Sequence, residues 1–188
     1  VVEIVLRCVK ASARSVAGED ESGKAVVFSD GASPDVRLDP ARPGFASTRI
    51  WVTETTPAQV RGIKETLHLP HTLEPPPMGS ICRVVEFPPE DGYRRNINDD
   101  QVRQYFAAMG SPQASTLSAD APHPYMQKIL SLDFCYIMEG EITLVLDTEE
   151  VQLRAGDTVI QRGTNHAWSN RSSAPCIILF SNHDATLS

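Results

Sequence analysis

The sequence predicts an all-β jelly roll with extra N-terminal strands and one short helix. Short apolar runs recur between turn residues, and long segments with the 3.6-residue period of a helix are almost absent. This combination is typical of a barrel or sandwich. The second half of the chain is the more regular, because six strand-length segments there are separated by tight turns. Six such strands can bury two facing sheets as a jelly roll.

The first half of the chain is expected to hold extra strands, connecting loops and the helix. Its candidate strands are Ala25–Ser29, Thr48–Thr53 and Ile81–Phe87. The segment Leu67–Ser80 contains four prolines, which cannot donate a regular hydrogen-bond ladder, so we expect loop or extended edge there. Between Asn98 and Met109 the apolar side chains fall at helical spacing, and Gly110 follows as a natural stop. We therefore predict a short helix at this point.

The second half begins with a connection and continues as regular strands. Ser111–Pro124 is rich in Ser, Ala and Pro, which predicts an exposed crossing loop. The predicted strands are Leu130–Met138, Glu141–Leu146, Glu150–Leu153, Thr158–Arg162, His166–Asn170 and Cys176–Ser181. Gly140 and Gly156 lie in turns between them, where a positive φ is easily adopted only by glycine.

Length and charge limit the classes of partner. A chain of 188 residues is about the size of one domain, so we expect a single domain over 1–188, with the strands, Pro-rich loop and helix in 1–110 and the core motifs in 120–183. The net charge is −7 and no basic run could follow a phosphate backbone, so nucleic acid is not an expected partner. The apolar runs are far shorter than the roughly 20 residues that cross a bilayer, so no membrane association is expected.

The N-terminus and the cysteines favour a cytoplasmic protein. Val1–Leu6 carries an acid where a secretory signal would carry basic residues, and no long apolar region follows it. The four cysteines are Cys8, Cys82, Cys135 and Cys176. They are far apart and include no C-x-x-C pair, which fits neither a zinc knuckle nor a disulfide-dense secreted scaffold. We expect reduced thiols.

Two motifs in the second half carry a resemblance to a known family. The first runs from Asp133 to Gly140, an acid followed after six residues by glycine, and the second contains Gly156-Asp157 and then Gly163-Thr-Asn-His-Ala-Trp-Ser-Asn170. Together they resemble the two motifs of the cupin superfamily, with Asp in place of the usual Glu and no proline between the glycines. The region from about Met126 to Asn182 is therefore similar to a cupin barrel, particularly to small cupins of bacteria and of fungal biosynthetic pathways.

The resemblance implies a metal site that this chain has largely lost. Family members take two histidines and a carboxylate from the first motif and a third histidine from the second, a set suited to Fe, Mn, Ni or Zn. The positions of the two histidines hold Gln127 and Ile129, which share the parity of Asp133 and so should face the barrel interior with His166. No cofactor is expected; a divalent transition metal, if present, would be bound by Gln127, Asp133 and His166.

The retained acid and histidine suggest non-redox acid/base chemistry in specialised metabolism. The expected enzyme is a dehydratase, decarboxylase, isomerase or cyclase acting on a polyketide-like or aromatic small molecule, with Asp133 and His166 as catalytic residues. The candidate substrate-binding residues are Gln127, Ile129, Trp168, Asn170, Arg162 and Tyr136. Two alternatives stay open, a metal-dependent cupin oxygenase or isomerase with an unusual ligand set and a non-catalytic ligand-binding cupin. The resemblance also implies a homodimer.

Overall fold

The structure, a computed structural model, describes residues 12–62 and 65–187, so Cys8 and the N-terminal segment lie outside the described residues. The strands are β1 (Ala13–Glu19), β2 (Ala25–Ala32), β3 (Val36–Leu38), β4 (Ala46–Thr53), β5 (Ser80–Phe87), β6 (Ser131–Glu139), β7 (Glu141–Val145), β8 (Glu150–Arg154), β9 (Thr158–Arg162), β10 (Ala167–Ser169) and β11 (Cys176–Asp184). The helix is α1 (Asp99–Ala108), and short 3₁₀ turns cover Glu90–Gly92, Arg94–Asn96 and Pro112–Ala114. The predicted all-β class is confirmed, while β1 and β3 were not predicted.

Two antiparallel sheets form the barrel. The larger sheet has the strand order β3-β4-β5-β11-β6-β9, the smaller has the order β10-β7-β8, and β1 and β2 form a separate hairpin. Strand β6 alternates strictly, with Ser131, Asp133, Cys135 and Ile137 buried and the residues between them more exposed. Ile137 joins Leu144 of the smaller sheet in one hydrophobic cluster, so the two sheets face each other across a shared core.

Helix α1 closes one end of the barrel. Asn98 caps its N-terminus, because its side chain accepts a hydrogen bond from the backbone of Gln101 while the Gln101 side chain accepts one from Asn98. Val102 and Phe106 are fully buried. Gly110 follows the helix with φ of +71°, and a Cβ there would lie 1.9 Å from the carbonyl oxygen of His71, so the predicted stop requires glycine for both conformation and space.

The proline-rich segment is a loop that two buried charged groups hold against the barrel. Arg49 of β4 donates hydrogen bonds to the carbonyl oxygens of Leu67, Leu69 and Pro70 at 2.7 to 2.9 Å and forms an ion pair of 2.6 Å with Asp35. Asp35 also lies 3.2 Å from Nδ1 of His71, whose pKa is lowered by burial to about 4. The predicted absence of regular strand is confirmed, but the loop is fixed and partly buried.

The connection from 111 to 124 differs from its predicted exposure. Ser111, Ala114 and His123 are fully buried, and the 3₁₀ turn at Pro112–Ala114 packs against α1 in the second hydrophobic cluster. Its Ser, Ala and Pro content correctly indicated irregular backbone, but small side chains also fit tightly under a helix. Within the part of the chain that the structure describes, no helix is long and apolar enough to span a membrane.

Candidate functional site

A cavity lies inside the barrel beneath α1. Its apolar walls come from Phe45, Leu73, Val85, Phe87, Tyr105, Met109, Tyr125, Ile129, Trp168 and Phe180. Its polar lining comes from Arg42, Ser47, Arg83, Gln127, Asp133, His166 and Asn182. The volume is about 60 Å³, space for roughly four or five water-sized groups. An apolar cavity with a few converging polar side chains is the usual form of a small-molecule site.

His166 enters this cavity as a neutral base. Its Nδ1 lies 2.9 Å from the carbonyl oxygen of Thr164; a carbonyl can only accept, so Nδ1 carries the proton and Nε2 has the lone pair. Nε2 lies 3.4 Å from the side-chain nitrogen of Gln127, whose backbone exchanges two hydrogen bonds of 2.8 and 2.9 Å with the backbone of His166. Burial lowers the pKa of His166, which keeps the ring neutral at pH 7.

Asp133 and Asn182 form a pair of buried acceptors on the inner face of the larger sheet. They are directly opposite each other in the β6–β11 register, and both side chains are buried. The Oδ1 atoms of both residues have no hydrogen-bond partner among the described residues. Asp133 is close enough to His166 to oppose the effect of burial on the histidine pKa, so a negative charge accompanies the base in the cavity.

Arg83 is the residue in the cavity that sequence reasoning missed. It lies on β5, is 4% exposed, and donates from Nη2 to the carbonyl oxygens of Thr72 and Leu73 at 3.1 and 2.8 Å. Its Nε and Nη1 have no partner among the described residues. Burial lowers its pKa, but a guanidinium remains charged at neutral pH. The missed signal was parity: Arg83 takes an inward position between Ile81 and Val85.

Arg42 supplies a second buried guanidinium, held by aromatic rings. Its Cζ lies 3.9 Å from the ring centroid of Phe45, 4.3 Å from that of Tyr105 and 3.7 Å from that of Tyr125. Its Nε forms an ion pair of 2.6 Å with Asp39. Arg42 is therefore neutralised and stacked as part of the cavity wall, and its loop position gave no periodic signal that could have identified it.

Five of the eight predicted site residues line the cavity, namely Gln127, Ile129, Asp133, His166 and Trp168. The other three do not. Asn170 is buried beyond the end of β10, where strand alternation no longer applies, and donates to the carbonyl oxygens of Phe87 and Ala174. Arg162 is exposed because it has the parity opposite to the inward Gln161. Tyr136 is 46% exposed on the outer face of β6.

Glu90 positions the strand that carries the site. Its backbone nitrogen donates to the carbonyl oxygen of Asn170 at 2.8 Å, and its Oε2 accepts from the Ser169 hydroxyl at 2.7 Å and lies 3.4 Å from Nε2 of His123. Burial raises the pKa of Glu90, but His123, the Ser169 hydroxyl and the charge of Arg94 outweigh burial and bring it down to about 2. The carboxylate therefore ties β10 to the turn after β5.

The thiols are structural. Cys82, Cys135 and Cys176 are free. Burial raises the pKa of Cys135, and it raises that of Cys176 to about 12. Both side chains are therefore protonated and unreactive at neutral pH.

The donor set does not fit the metal that the family motifs imply. The cavity offers one imidazole from His166, one carboxylate from Asp133 and one amide from Gln127, and Ile129 takes the place of a further ligand. The described residues contain no group of three or more His, Cys, Asp or Glu side chains that could hold a metal ion. Arg83 adds a fixed positive charge to the same cavity, which disfavours a cation.

Fold and cavity together define a jelly-roll barrel protein with a polar-lined cavity inside the barrel. A family model described as a cupin domain matches residues 129–182, which contain both motifs. This match supports the cupin resemblance that the two motifs predicted.

Several curated relatives match this chain at low identity. Phomopsin biosynthesis cluster protein C' of Diaporthe leptostromiformis is 27% identical over 132 residues, which cover 64% of this chain and 61% of that protein. Cupin-domain-containing oxidoreductase virC of Hypocrea virens is 26% identical over 161 residues, which cover 84% of this chain and 66% of that protein. The chain thus spans less than two thirds of the length of the first curated relatives that it matches. Among solved structures, a putative ethanolamine utilization protein Q from Salmonella typhimurium aligns over 94% of this chain and 98% of its own, at 11% identity and a TM-score of 0.46.

Proposed function

We propose that the protein is a cupin enzyme of specialised metabolism that performs non-redox acid/base chemistry on a small molecule. The observation that carries this proposal is the neutral His166, which lines an apolar cavity together with buried polar side chains that have unpartnered atoms within the described residues. Its relatives bear names of fungal biosynthesis cluster proteins, which supports the metabolic setting. The reaction class is a dehydratase, decarboxylase, isomerase or cyclase.

His166 is the proton acceptor in this proposal. Its Nδ1 is fixed by the Thr164 carbonyl, so Nε2 can take a proton from a substrate C–H or O–H group. Protonation makes a buried imidazolium, and the negative charge of Asp133 in the same cavity stabilises it. The proton can then be returned to another atom of the substrate, so that no electrons leave or enter.

The other cavity residues orient the substrate and stabilise charge. Gln127 and Ile129 hold the position of His166 and form the adjoining wall. Trp168 packs edge-on against His166 with ring centroids 6.0 Å apart and offers an unpartnered indole N–H. Arg83 provides a positive charge for an oxyanion that forms when the proton leaves. The small volume admits a compact substrate or the reactive end of a larger, polyketide-like or aromatic one.

The test compares metabolites in the producing organism carrying the wild-type gene, His166→Ala or His68→Ala. His68 is an exposed loop histidine and serves as the matched control. His166→Ala should lower turnover by about a hundredfold or more with the fold intact, and His68→Ala should not. If His166→Ala formed nearly the wild-type amount of product, the proposal would be wrong.

The same experiment decides the redox alternative, which the name oxidoreductase of two relatives favours. In the non-redox proposal the compound that accumulates in His166→Ala differs from the product by water, by carbon dioxide or by nothing. A difference of two hydrogens or of one oxygen atom would establish redox chemistry instead. Binding of the accumulated compound without conversion by the wild-type protein would identify a ligand-binding cupin.

A further inference from the structure

The cavity separates hydrogen-bond donors from acceptors across the larger sheet. The strand order β4-β5-β11-β6 places Ser47, Arg83, Asn182 and Asp133 in sequence along its inner face. Arg83 Nε, Arg83 Nη1 and Ser47 Oγ are buried without a partner among the described residues, and so are the Oδ1 atoms of Asn182 and Asp133. Among the residues of this sheet that line the cavity, the unsatisfied donors thus lie on the β4–β5 side and the unsatisfied acceptors lie on the β11–β6 side.

The charge on Arg83 distinguishes it from its buried neighbours. Arg49, its direct cross-strand partner, is neutralised by Asp35 at 2.6 Å, and Arg42 is neutralised by Asp39. Arg83 has no ion pair within the ranges 12–62 and 65–187, and its bonds to Thr72 and Leu73 use Nη2 alone. Asp133 and Glu74 attract it only at longer range. A buried charge without a close counter-ion is destabilising, and an anion seated against Nε or Nη1 would reduce that cost.

The free nitrogens of Arg83 and the Ser47 hydroxyl suit a small anion. Nε shares its edge of the guanidinium plane with Nη2 and not with Nη1, so Nε and Nη1 donate single hydrogen bonds in different directions. One oxygen of a carboxylate can accept from one of these nitrogens, and the Ser47 hydroxyl on the neighbouring strand is a donor for the other oxygen. On the other side, Asp133 and Asn182 present oxygens that can only accept, so the ligand must carry a donor such as a hydroxyl group there.

We propose that the cavity binds a hydroxycarboxylate, with the carboxylate on Arg83 and Ser47 and the hydroxyl group on Asp133 and Asn182. This inference rests on the proposed function, since it names the substrate class for the same cavity. It also fits the small volume, because a carboxylate and one hydroxyl-bearing carbon occupy about the space of four or five water-sized groups. The hydroxyl end then lies on the side of His166, the proton acceptor.

The experiment measures binding of three matched probes: lactate, lactamide, which lacks the charge, and propionate, which lacks the hydroxyl group. Chemical shifts of the Trp168 indole N–H report occupancy of the cavity; Trp51 is the other tryptophan, and Trp51→Phe assigns the signal. Lactate should bind at least about tenfold more tightly than lactamide, because a hydrogen bond to a charged group is lost. It should bind about threefold more tightly than propionate, which loses a weaker bond.

Variants locate the two contacts. Arg83→Gln, which keeps an amide donor for the Thr72 and Leu73 carbonyls, should abolish the preference for lactate over lactamide. Asp133→Ala, which removes one of the two acceptor side chains, should reduce the preference for lactate over propionate. Ser47→Ala removes only an unpartnered hydroxyl group and should weaken lactate about threefold, so it tests the carboxylate site even if Arg83→Gln does not fold. Arg103→Gln, on the exposed face of α1, should leave all three dissociation constants unchanged.

Equal binding of lactate and lactamide to the wild-type protein would overturn the inference, and so would a preference that survives both Arg83→Gln and Ser47→Ala. This experiment measures binding and does not depend on turnover. A protein that uses His166 as its base can still bind lactate and lactamide equally. Conversely, a protein that prefers lactate can still be unaffected by His166→Ala. Failure of the hydroxycarboxylate inference is therefore distinguishable from failure of the acid/base proposal.

Discussion

Replacing the buried carboxylate of Glu90 by an amide should destabilise the protein in a pH-dependent way. Glu90→Gln preserves size and can still accept from Ser169, but it removes the charge that faces His123, Arg94 and Arg171. The pKa of Glu90 is held at about 2, below its ordinary value of 4.5. A carboxyl group with a lowered pKa in the folded state stabilises that state above the ordinary pKa and loses this contribution as pH falls toward the lowered value.

The magnitude follows from the pKa difference. A shift of about 2.5 pH units at 1.36 kcal/mol each gives about 3 kcal/mol. The side chains of Arg94 and Arg171 are 33% and 46% exposed, so solvent screens part of their contribution, and we expect a loss of about 2 to 3 kcal/mol at pH 7. About half of that difference should be gone at pH 3, because the Glu90 carboxyl of the unfolded wild-type protein is protonated there while that of the folded protein is still mostly ionised, and the amide does not titrate.

Urea unfolding between pH 7 and pH 3, followed by tryptophan fluorescence, measures the effect as a difference in unfolding free energy. His123 titrates in both proteins, which is why the difference between them is the quantity to follow. Glu150→Gln is the matched control: Glu150 pairs with Arg171 at 2.6 Å but on the surface, so its replacement should leave stability almost unchanged. A Glu90→Gln difference that stays constant from pH 7 to pH 3, or that never exceeds about 0.5 kcal/mol, would refute the role of the charge.

Four further predictions separate catalysis from structure. The kcat/KM profile should fall only below pH 6.5, the ordinary histidine pKa, because burial lowers the pKa of His166 and only its neutral form accepts a proton; a fall centred at or above pH 6.5 would argue against His166 as the base. Asn170→Ala should lower the unfolding free energy by about 2 to 3 kcal/mol, because it leaves buried carbonyl groups unpaired. A raised KM with unchanged stability would instead show that Asn170 binds substrate. Tyr125→Phe should cost about 1.5 to 3 kcal/mol in a thermal or urea melt, since it removes the 2.9 Å bond from the phenol to Asp39. Arg162→Ala, on an exposed position, should change neither turnover nor stability measurably.

Periodicity predicted the barrel and half of its site. Strand β6 was expected over Leu130–Met138 and spans Ser131–Glu139, and its alternation correctly turned Asp133 inward. The helix expected over Asn98–Met109 spans Asp99–Ala108. These elements were readable because their burial follows a fixed period along the chain. Strand β3, with three residues, is too short to show any period.

The other half of the site depends on contacts that no local pattern encodes. Arg42 reaches the cavity from a loop, and only the tertiary fold brings Phe45, Tyr105 and Tyr125 around it. Asn170 looked like a site residue because strand parity was extended one position past the end of β10. Arg83 is different, since its inward parity on β5 was available from the sequence and an inward charge on an apolar strand indicates a functional position.

The charge of Arg83 accounts for two features of the cavity at once. Metal ligands are missing from it, and Asp133 and His166 are still present. A divalent cation about 6 Å from a guanidinium would be repelled by on the order of 5 kcal/mol at an effective dielectric constant of about 20, which is a large penalty for a site with few ligands. The same guanidinium can stabilise an oxyanion or hold a carboxylate, which are tasks that a metal ion performs as a Lewis acid. With Ile129 in a ligand position and Arg83 charged and unpaired within the described residues, positive charge in this cavity comes from a side chain. Replacing Arg83 by a neutral residue should therefore impair the handling of anions without creating a metal site, because the missing ligands would still be missing.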